Sequence, residues 1–580
     1  MMIFTAVKKF LPCFDWFQGY NKTLFSADLI AGIVTTIMLV PQSLSYALLA
    51  GLPPQVGLYA SLLPLLVYCL FGASGPLSVG PFAITSIMTA SAVGAIATSI
   101  DPSQHLLVAM LLAWLVGFFL LACGLLRLGF LSNFICFPAM VGFISASACI
   151  IAMSQIKHFL NIPLPDLPLL HTLYYIAGHV AEAHRLPLIV GLCSALALYF
   201  LPAQIKKIVV AFGGSSFVSD LAGKGTPIVV FTTAIIVTKY FALDQQGLAV
   251  VGAIPQDFPA LSLPDMASIM SLKDHSASIL NSAFLIAIIG YVTSLSAAQA
   301  FAVKMKTRIE PNREAVAIGL ANLASASSGA FPVAASLSRS AVCFKAGAKT
   351  PATSAITAIG VALSCVFLTP YLYYLPIVTL AGMVVVAVFG LFDVAAMKRI
   401  VQYSKKDTSI LVLTFSLTLF QGLEWGFVSG IILSVALHLY RSSRPHVAVL
   451  GLVEKTEHFR NIERHDVVVD DRVIMLRVDS SLYFANSSFL FDLVNKHISA
   501  NAQAKHVVLN CSPINYIDIT ALESLFEINR ELQSAGVLLH LSEIKGPVAD
   551  YLYRSDFLNQ LSGKVYLSHF QAWQDLTDGQ

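Results

Sequence analysis

Charged residues are scarce in this sequence of 580 residues, where Asp, Glu, Lys and Arg together make up 12% and hydrophobic residues make up 57%. Soluble globular domains carry about 25% charged residues, so the composition excludes an ordinary soluble fold. Apolar runs of about 17 to 25 residues, the length that crosses a bilayer, recur between residues 29 and 440. The sequence therefore predicts a polytopic α-helical membrane protein.

Patterns that hold metals or disulfides are also missing. The nine cysteines show neither metal-ligand spacing nor a paired framework, and most of them, such as Cys69 and Cys149, fall in apolar runs. We therefore expect them to be small buried hydrophobic residues, and the sequence predicts no metal site and no cofactor. Residues 1–20 lack the small-residue cleavage site of a secretory signal, so no removable signal peptide is predicted.

Basic residues fall in every other loop between the predicted spans, at positions such as Arg127, Lys206 and Lys304. The intervening loops are richer in acidic residues, such as Asp244 and Glu424. By the positive-inside rule, this alternation places both termini in the cytoplasm and requires an even number of spans. We expect about fourteen spans, in a multi-pass protein of the cell membrane.

The apolar region divides into two halves with the same plan. Seven spans are predicted between residues 29 and 241 and seven more between residues 278 and 439, with an acidic, proline-rich loop at 244–274 between them. An odd number of spans in each half makes the second half start on the opposite face of the membrane, which produces an inverted repeat.

The last part of the sequence has a different character. Short β-rich runs at residues 473–478, 506–510 and 537–541 alternate with helical patterns. Strands and helices of that length indicate a small α/β domain. The expected boundaries are 1–27 for a cytoplasmic N-terminal segment, 28–442 for the transmembrane domain and 443–580 for a cytoplasmic α/β domain.

Arg339 is the most informative single residue, because it lies within residues 315–392, a stretch that contains no Asp or Glu. A fixed cation without a carboxylate partner along the chain is costly in a membrane and marks a site that an anion occupies. Pro332 and a run of small and hydroxyl residues that includes Ser338 precede it. Close helix packing through small residues is the alternative explanation, and Arg339 counts against it.

A second run that begins with a proline and continues with small and hydroxyl residues, residues 81–86, occurs in the first half and contains Pro81, Phe82, Ala83 and Thr85. We expect Pro81 and Pro332 each to open a short helix, because proline is favoured at a first helical position. Two half-helices that meet near the bilayer centre direct free backbone amides and two positive dipole ends at one small space. Together the two runs predict one anion site at mid-membrane.

The first span adds polar groups at membrane depth. Gln42 and Tyr46 are four residues apart and therefore lie on one face of a helix, where they offer an amide and a phenol to an anion. Interhelical hydrogen bonding is a nearly equal explanation for Tyr46. Phe82 would close the apolar side of the cavity.

Carboxylates are missing where a coupled symporter needs them. No charged residue stands between Asp28 and Asp101, and none lies within residues 276–303. A proton- or sodium-coupled symporter would place a carboxylate within the spans. We therefore expect an interior that offers only hydroxyl groups and Arg339, and a transporter that works by anion exchange or facilitated flow.

Four sequence motifs carry a resemblance to a known family: PQSLSYALLAGLPPQVGLYASLLP from residue 41, VGPFAITSIM from residue 79, GAIP from residue 252 and SGAFPVAASLSRSAV from residue 328. In this order they resemble the SulP family of anion permeases, whose animal relatives include pendrin and prestin, and the tail resembles a STAS domain. The resemblance implies fourteen spans in an inverted repeat with core and gate subdomains, usually a homodimer, and a cytoplasmic STAS domain.

The resemblance also implies a set of substrate residues. The family's site falls here on Gln42, Tyr46, Phe82, the backbone near Ala83, Ser338 and Arg339. Many bacterial and plant members carry a Glu in span eight that is linked to proton coupling.

In this sequence Thr293 takes the place of that Glu, and we count Thr293 and Thr85 among the candidate substrate residues. In the tail, residues 518–521 resemble the Asp-Ser-Ser-Gly loop of anti-sigma-factor antagonists. Ile519 occupies the phosphoacceptor position there, which argues against switching by phosphorylation and leaves Thr520 as the alternative acceptor.

We expect a secondary transporter of small inorganic anions, with sulfate first because it is the commonest family label, and not an enzyme. Bicarbonate, chloride and dicarboxylates are the alternative substrates. A nucleobase permease would need intramembrane carboxylates, and a membrane sensor that signals through its STAS domain to a cytoplasmic protein would need no polar interior. The expected partners are the anion, the lipid bilayer and a second copy of the chain, and no nucleic acid.

Overall fold

The computed structural model describes residues 16–96, 104–162, 169–179, 183–213, 215–255, 259, 261, 270 and 272–577. The chain divides into two compact units, Met1–Ile432 and Leu433–Gln580. Residues 1–15 of the expected N-terminal segment and most of the expected loop from 256 to 271 lie outside the described residues.

In the described residues, the first half of unit Met1–Ile432, called the membrane unit below, consists of helices and one very short strand. In chain order these are α1 (Lys22–Leu49), α2 (Pro54–Tyr59), α3 (Leu63–Phe71), β1 (Val79–Gly80), α4 (Ala83–Gly94), α5 (His105–Leu125), α6 (Phe137–Leu160), α7 (Leu169–His179), α8 (Arg185–Ala211), α9 (Ser216–Lys224) and α10 (Thr226–Tyr240).

The second half repeats this plan, with a second short strand in the corresponding place. It contains α11 (Ser276–Met305), α12 (Pro311–Ser327), β2 (Ala334–Ala335), α13 (Leu337–Lys345), α14 (Ala352–Phe367), α15 (Ile377–Phe389), α16 (Val394–Tyr403) and α17 (Lys405–Gln421). Helix α18 (Leu423–Ser443) follows and continues past Ile432, the last residue of this unit.

Long apolar helices dominate this unit, which confirms the predicted polytopic helical class. Among the described residues, eight helical stretches are long and apolar enough to cross a membrane, or nine if the bent pair α9 and α10 counts as one span. Two shorter apolar helices, α4 and α14, add to them. The count of fourteen spans stays a prediction.

The two interrupted spans meet through their strands. Strand β1 pairs with β2 in antiparallel fashion, with Val79 opposite Ala335 and Gly80 opposite Ala334. An antiparallel pairing of equivalent segments is the arrangement that an inverted repeat produces.

One detail of the prediction was wrong at this crossing. Helix α4 begins at Ala83 and α13 at Leu337, so Pro81 and Pro332 lie in the extended segments before the helices rather than at their first positions. A proline has no amide hydrogen, so it leaves no unsatisfied donor in an extended segment at membrane depth.

Helix α12 packs closely on α5 because glycines lie at their contact. A Cβ atom added to Gly117 would lie only 2.9 Å from the carbonyl oxygen of Gly319, and one added to Gly319 would lie 2.8 Å from the amide nitrogen of Leu121. Small residues bring two backbones together in this way in membrane helices. Any larger residue at either glycine would push α12 away from α5, and with it the segment that leads to β2.

The cysteines only partly follow the expectation from the sequence. Cys69, Cys343, Cys365 and Cys511 are buried, whereas Cys193 on α8 is exposed on the surface of the chain. An exposed cysteine within an apolar helix is compatible with a lipid-facing position, since burial against protein and contact with lipid both suit a small hydrophobic side chain.

The second unit is the α/β domain that the sequence predicted. Its strands are β3 (Val447–Leu452), β4 (Phe459–Asn461), β5 (Val473–Val478), β6 (His506–Asn510), β7 (Leu538–Ser542) and β8 (Val565–Tyr566). They form a sheet in the order β4-β3-β5-β6-β7-β8, in which β3 is antiparallel to both of its neighbours and the pairs from β5 to β8 are parallel. The helices are α19 (Ser487–Ala500), α20 (Ile519–Ser534), α21 (Gly546–Arg554), α22 (Phe557–Gln560) and α23 (His569–Thr577).

Apolar residues from the strands and helices of this unit form a continuous core. Leu476, Leu509 and Leu541 on the parallel strands pack with Leu525 on α20 and Leu552 on α21. Buried parallel strands need helices over them, and the alternating strand and helix pattern of the sequence supplies them. The unit therefore has the hydrophobic core of an independent domain.

Candidate functional site

The candidate site lies where the two short helices begin. Helix α4 follows β1 after two residues and α13 follows β2 after one residue. Because the two strands run antiparallel, the helices leave the crossing in opposite directions and their N-termini face each other. The first backbone amides of each helix have no hydrogen-bond partner within that helix. The positive dipole ends of the two helices also favour a negative charge at this place.

Arg339 is fixed beside this crossing by groups of the first half. Its Nη1 donates to the carbonyl oxygen of Pro81 at 2.8 Å and to Oε1 of Gln42 at 3.3 Å, and its Nε donates to the hydroxyl of Ser78 at 3.3 Å. The side chain is 1% exposed. Its Nη2 has no hydrogen-bond partner in the described part of the chain.

No carboxylate lies within ion-pair distance of Arg339 among the described residues. The phenol of Tyr46, which is 6% exposed, is close enough to interact with the guanidinium electrostatically. A buried guanidinium that holds only neutral groups keeps its full charge for a ligand, and arginine is the side chain best suited to bind oxyanions.

A cavity of about 740 Å³ opens on one side of the crossing. Three predicted residues, Phe82, Thr293 and Ser338, line it together with Ser336. The hydroxyls of Ser336 and Ser338 lie 3.1 Å apart, and Ser336 also caps α13. This volume is in the range of small-molecule sites, so an anion and its hydration water fit in it.

The remaining predicted residues are buried and do not line this cavity: Gln42, Tyr46, Ala83, Thr85 and Arg339. Ala83 is the first residue of α4 and is buried. The hydroxyl of Thr85 donates to the carbonyl oxygen of Phe82 at 2.9 Å, so it stabilises the first turn of the helix. Ser86 has a buried hydroxyl without a partner in the described residues, which makes it a further polar group at this helix start.

Thr293 does not offer its hydroxyl hydrogen freely. Its Oγ1 donates within α11 to the carbonyl oxygens of Ile289 and Gly290, at 2.8 and 3.1 Å. The oxygen itself remains an acceptor on the cavity wall. The side chain is therefore placed to contact water or a protonated group more readily than a bare anion.

Two contributors were missed by the sequence analysis. Ser78 donates its amide to Ser340 at 2.9 Å and accepts the amide of Ser336 at 3.1 Å, in addition to its bond with Arg339. Asp393 lines the cavity, where its carboxylate accepts the amide of Ala396 at 2.8 Å and caps α16. A serine three residues before Pro81 carries no distinctive signal, and Asp393 follows directly after the acid-free stretch.

The expectation of an interior without carboxylates was wrong. Asp28 and Glu314 are both fully buried. Asp28 accepts the amides of Lys349 and Thr350 and is thereby satisfied at the start of α14.

Glu314 accepts the hydroxyl of Tyr68 at 2.7 Å, and its Oε2 has no partner among the described residues. Both carboxylates stand just outside stretches of the sequence that contain no acidic residue, and only packing brings them inside.

In the α/β unit, Asp518 begins the loop that resembles the anti-sigma-factor antagonist motif. One of its carboxylate oxygens accepts the amide of Ala521 and the other accepts the amide of Phe484, both at 2.8 Å. Ile519, the next residue, is 70% exposed. The position of a phosphoacceptor therefore carries an exposed aliphatic side chain.

Two histidines of the same unit contact each other across the parallel strands β6 and β7. Nδ1 of His506 lies 3.1 Å from Nε2 of His540, and Nδ1 of His540 accepts the amide of Lys564. Burial, together with His506 and Lys564, lowers the pKa of His540 to about 4. Burial, with Lys505 and Arg472, also lowers the pKa of His506. Both rings are therefore neutral near pH 7.

Comparison with known proteins covers both units. Residues 25–414 match the sulfate permease family, and residues 464–572 match the STAS domain. Sulfate transporter 4.1, chloroplastic, of Arabidopsis thaliana is 35% identical over 98% of this chain and 82% of its own length. Probable sulfate transporter 4.2 of the same plant is 33% identical over 98% of this chain and 83% of its own length.

A solved structure shares the fold at lower sequence identity. The murine Solute Carrier 26 family member A9 anion transporter in its inward-facing state superimposes with a TM-score of 0.87 at 23% identity. The match covers 99% of this chain and 95% of the solved one. The fold is thus shared over both units.

Proposed function

Because the chain belongs to the sulfate permease family, whose members are transporters and not enzymes, we propose that it carries small inorganic anions across a membrane, with sulfate first. The observation that carries this proposal is the side chain of Arg339. It is buried, it has no carboxylate within ion-pair distance in the described residues, and its Nη2 is without a partner there. A buried charge of this kind in a membrane protein marks a site for a substrate or ion of opposite charge.

The substrate-binding residues of this proposal are those that surround the crossing. Arg339 provides the charge, and Gln42, Tyr46 and Ser338 provide hydrogen bonds. Phe82 and Thr293 form the cavity wall. Two more residues, Ala83 and Thr85, set the start of α4, where free amides face the anion.

Sulfate is the first anion to test because the two plant relatives are sulfate transporters by name. Bicarbonate, chloride and dicarboxylates are the competitors. A tetrahedral dianion matches a site with one guanidinium and two helix N-termini, since each of these groups offers several donors to oxygen.

Transport proceeds in this proposal by alternating access, with one subdomain moving as a rigid body against the other, in exchange or facilitated mode. Thr293 stands where a coupling Glu would be. Asp393, the carboxylate on the described cavity wall, is engaged as a helix cap. Glu314 is buried against Tyr68 and is absent from the cavity wall.

The location and assembly complete the proposal. We place the chain in the cell membrane as a homodimer with both termini in the cytoplasm, and assign 1–27 to an N-terminal segment, 28–442 to transport and 443–580 to the STAS domain. The alternating charges of the loops support the orientation. The STAS domain is proposed to support assembly and to contact a cytoplasmic partner.

Uptake of radiolabelled sulfate into proteoliposomes tests the function. We expect uptake that depends on the internal exchangeable anion and is reduced by competing anions. Protein-free liposomes and an Arg339→Ala protein are the controls. Uptake no faster than in protein-free liposomes, for sulfate and for each of the other anions, would overturn the proposal.

A further inference from the structure

The extended segment that leads to α13 has little secondary structure of its own. Strand β2 has two residues, Ala334 and Ala335, which pair with β1, and the next residue, Ser336, donates its amide to the carbonyl oxygen of Ser78. Within a membrane, backbone amides and carbonyls outside helices need protein partners. The other backbone amides and carbonyls of this segment therefore need hydrogen-bond partners from the side chains around it.

Asn322 provides the principal contact. This residue of α12 is 0% exposed. Its Oδ1 accepts the amide of Val333 and its Nδ2 donates to the carbonyl oxygen of Val333, both at 2.9 Å. One side-chain amide thus occupies both polar groups of a single backbone residue, as a neighbouring strand would.

Two more side chains hold the same segment. Ser294 of α11, also 0% exposed, accepts the amide of Ala335 at 2.9 Å and donates to the carbonyl oxygen of Gly290 at 2.6 Å. Ser325 of α12 donates to the carbonyl oxygen of Phe331 at 2.7 Å. Helices α11 and α12 therefore define the path of the chain up to the cap of α13.

We infer that Asn322 and Ser294 are positioning residues of the anion site: they hold the extended segment so that Ser338 and Arg339 lie at the crossing. Neither residue lines the cavity. They act through the backbone of Val333 and Ala335, which lie within six residues of Arg339. This inference rests on the proposed function, because it concerns the site of the transported anion.

The physical reason is the small tolerance of such a site. Binding groups work only when supporting contacts hold them within about 0.5 Å of the productive geometry. Loss of the Asn322 amide leaves two buried polar groups of Val333 unpaired, and the segment moves to satisfy them. The start of α13 and the guanidinium of Arg339 then shift relative to Pro81 and Gln42.

Asn312 offers a matched control on the same helix. Its Oδ1 accepts the amide of Gly129 at 2.9 Å, so it also bridges α12 to a backbone group, but at the N-terminal end of the helix, about 15 Å along the axis from Asn322. Asn312→Ala and Asn322→Ala both remove a side-chain amide that holds backbone. Only the second one releases the segment that carries the site.

The experiment measures sulfate affinity and thermal stability of the purified full-length protein, with and without sulfate. We expect Asn322→Ala to bind sulfate at least tenfold more weakly and to lose the rise in Tm that sulfate produces, while Asn312→Ala keeps wild-type affinity. Ser294→Ala is expected to weaken binding as well, and Ser294→Thr, which keeps the hydroxyl, to restore it.

Each outcome decides something. Wild-type affinity in both Asn322→Ala and Ser294→Ala overturns the positioning role but leaves the proposed function intact, and so does an equal loss in Asn312→Ala. If Asn322→Ala does not fold, the Ser294 pair gives the answer. If the wild-type protein binds neither sulfate nor any of the competing anions, the proposed function fails, and the inference fails with it.

Discussion

The guanidinium of Arg339 donates a hydrogen bond to the side-chain oxygen of Gln42, a residue 297 positions earlier in the chain, at 3.3 Å. The two residues come from opposite halves of the membrane unit. The bond orients a charge without neutralising it, because the acceptor is a neutral amide.

The first prediction concerns the charge itself. Arg339→Ala should weaken sulfate binding at least about tenfold, since a charge-assisted hydrogen bond contributes about 1.5 to 3 kcal/mol. The protein should stay folded, because no buried partner charge is left behind. Equilibrium binding of radiolabelled sulfate and size-exclusion chromatography measure the two properties.

Arg339→Lys keeps the positive charge but removes the planar guanidinium group, so it is the control for the charge alone. It should bind more weakly than wild type but more tightly than Arg339→Ala, since lysine keeps the charge and loses the bidentate geometry. Wild-type affinity in Arg339→Ala would contradict the anion site.

The second prediction replaces the neutral acceptor by a charged one. Gln42→Glu places a carboxylate next to Nη1 of Arg339, where the two form an internal ion pair. Anion binding should be lost while the thermal stability is kept, because the ion pair satisfies both buried charges. Sulfate binding and Tm report on the variant.

Gln42→Ala serves as the comparison, and its loss of affinity should be smaller than that of Gln42→Glu. If Gln42→Glu bound sulfate as tightly as Gln42→Ala, the added charge would not reach the site, and Gln42 would have only a structural role.

The third prediction concerns coupling. Uptake by the wild-type protein should follow the internal anion or the membrane potential rather than an imposed pH gradient. Thr293→Glu adds a carboxylate to the cavity wall, whose protonation in a partly buried place should make uptake depend on pH. Uptake into vesicles at a clamped potential, with and without a pH gradient, measures both.

Glu314→Gln is the control for the carboxylate that the fold already contains. It keeps an acceptor for the hydroxyl of Tyr68 and removes the titratable group, so the response of uptake to pH should not change. Strict proton dependence of the wild type that disappears in Glu314→Gln would identify Glu314 as the coupling residue and refute the uncoupled mode.

The fourth prediction concerns the pH stability of the STAS domain. The pKa of His540 is about 4 in the folded state and 6.5 for the free side chain, so the unfolded state binds more protons between these values. The contribution of the neutral His540 to the free energy of unfolding is therefore fully present above pH 6.5 and is lost as the pH falls towards 4. Urea unfolding of residues 444–580 at several pH values measures this.

His540→Gln should reduce this loss of stability between pH 6.5 and 4. Part of the loss should remain in this variant, because burial also lowers the pKa of His569 to about 4. His458→Gln, at an exposed position, should keep the wild-type dependence on pH. An identical pH profile in the His540 variant would exclude this histidine as a cause.

The fifth prediction separates the two units. Truncation after Ser443 removes the sheet and its core but leaves Arg339 and the cavity in place. The truncated protein should reach the membrane in smaller amounts or form a weaker dimer, while the purified protein still binds sulfate. Loss of binding in a well-folded truncated protein would contradict this division of roles.

Much of the fold could be predicted because helices and strands leave periodic patterns of apolar residues in the sequence. Strands β5 and β6 were predicted with the boundaries that the structure has, and β7 was displaced by one residue. The interrupted spans were also predicted, but the start of each short helix was not, since Pro81 and Pro332 lie in extended segments. Proline fits a first helical turn and an extended strand equally well, so local sequence cannot distinguish them.

The sequence by itself determined the membrane class, the two halves, the STAS-like tail and the position of Arg339 in a stretch without acidic residues, because composition and charge act locally along the chain. Only the tertiary structure decided which groups hold that cation, since Gln42, Ser78 and Pro81 come from the other half. Asn322 is the single residue with an amide side chain within residues 315–392. The sequence does not show which group this side chain contacts, and the structure shows that it contacts the backbone of Val333. The burial of Glu314 followed from packing against Tyr68. Contacts between residues distant in the chain depend on how the helices pack in three dimensions, and the pattern of residues along the sequence does not contain that information.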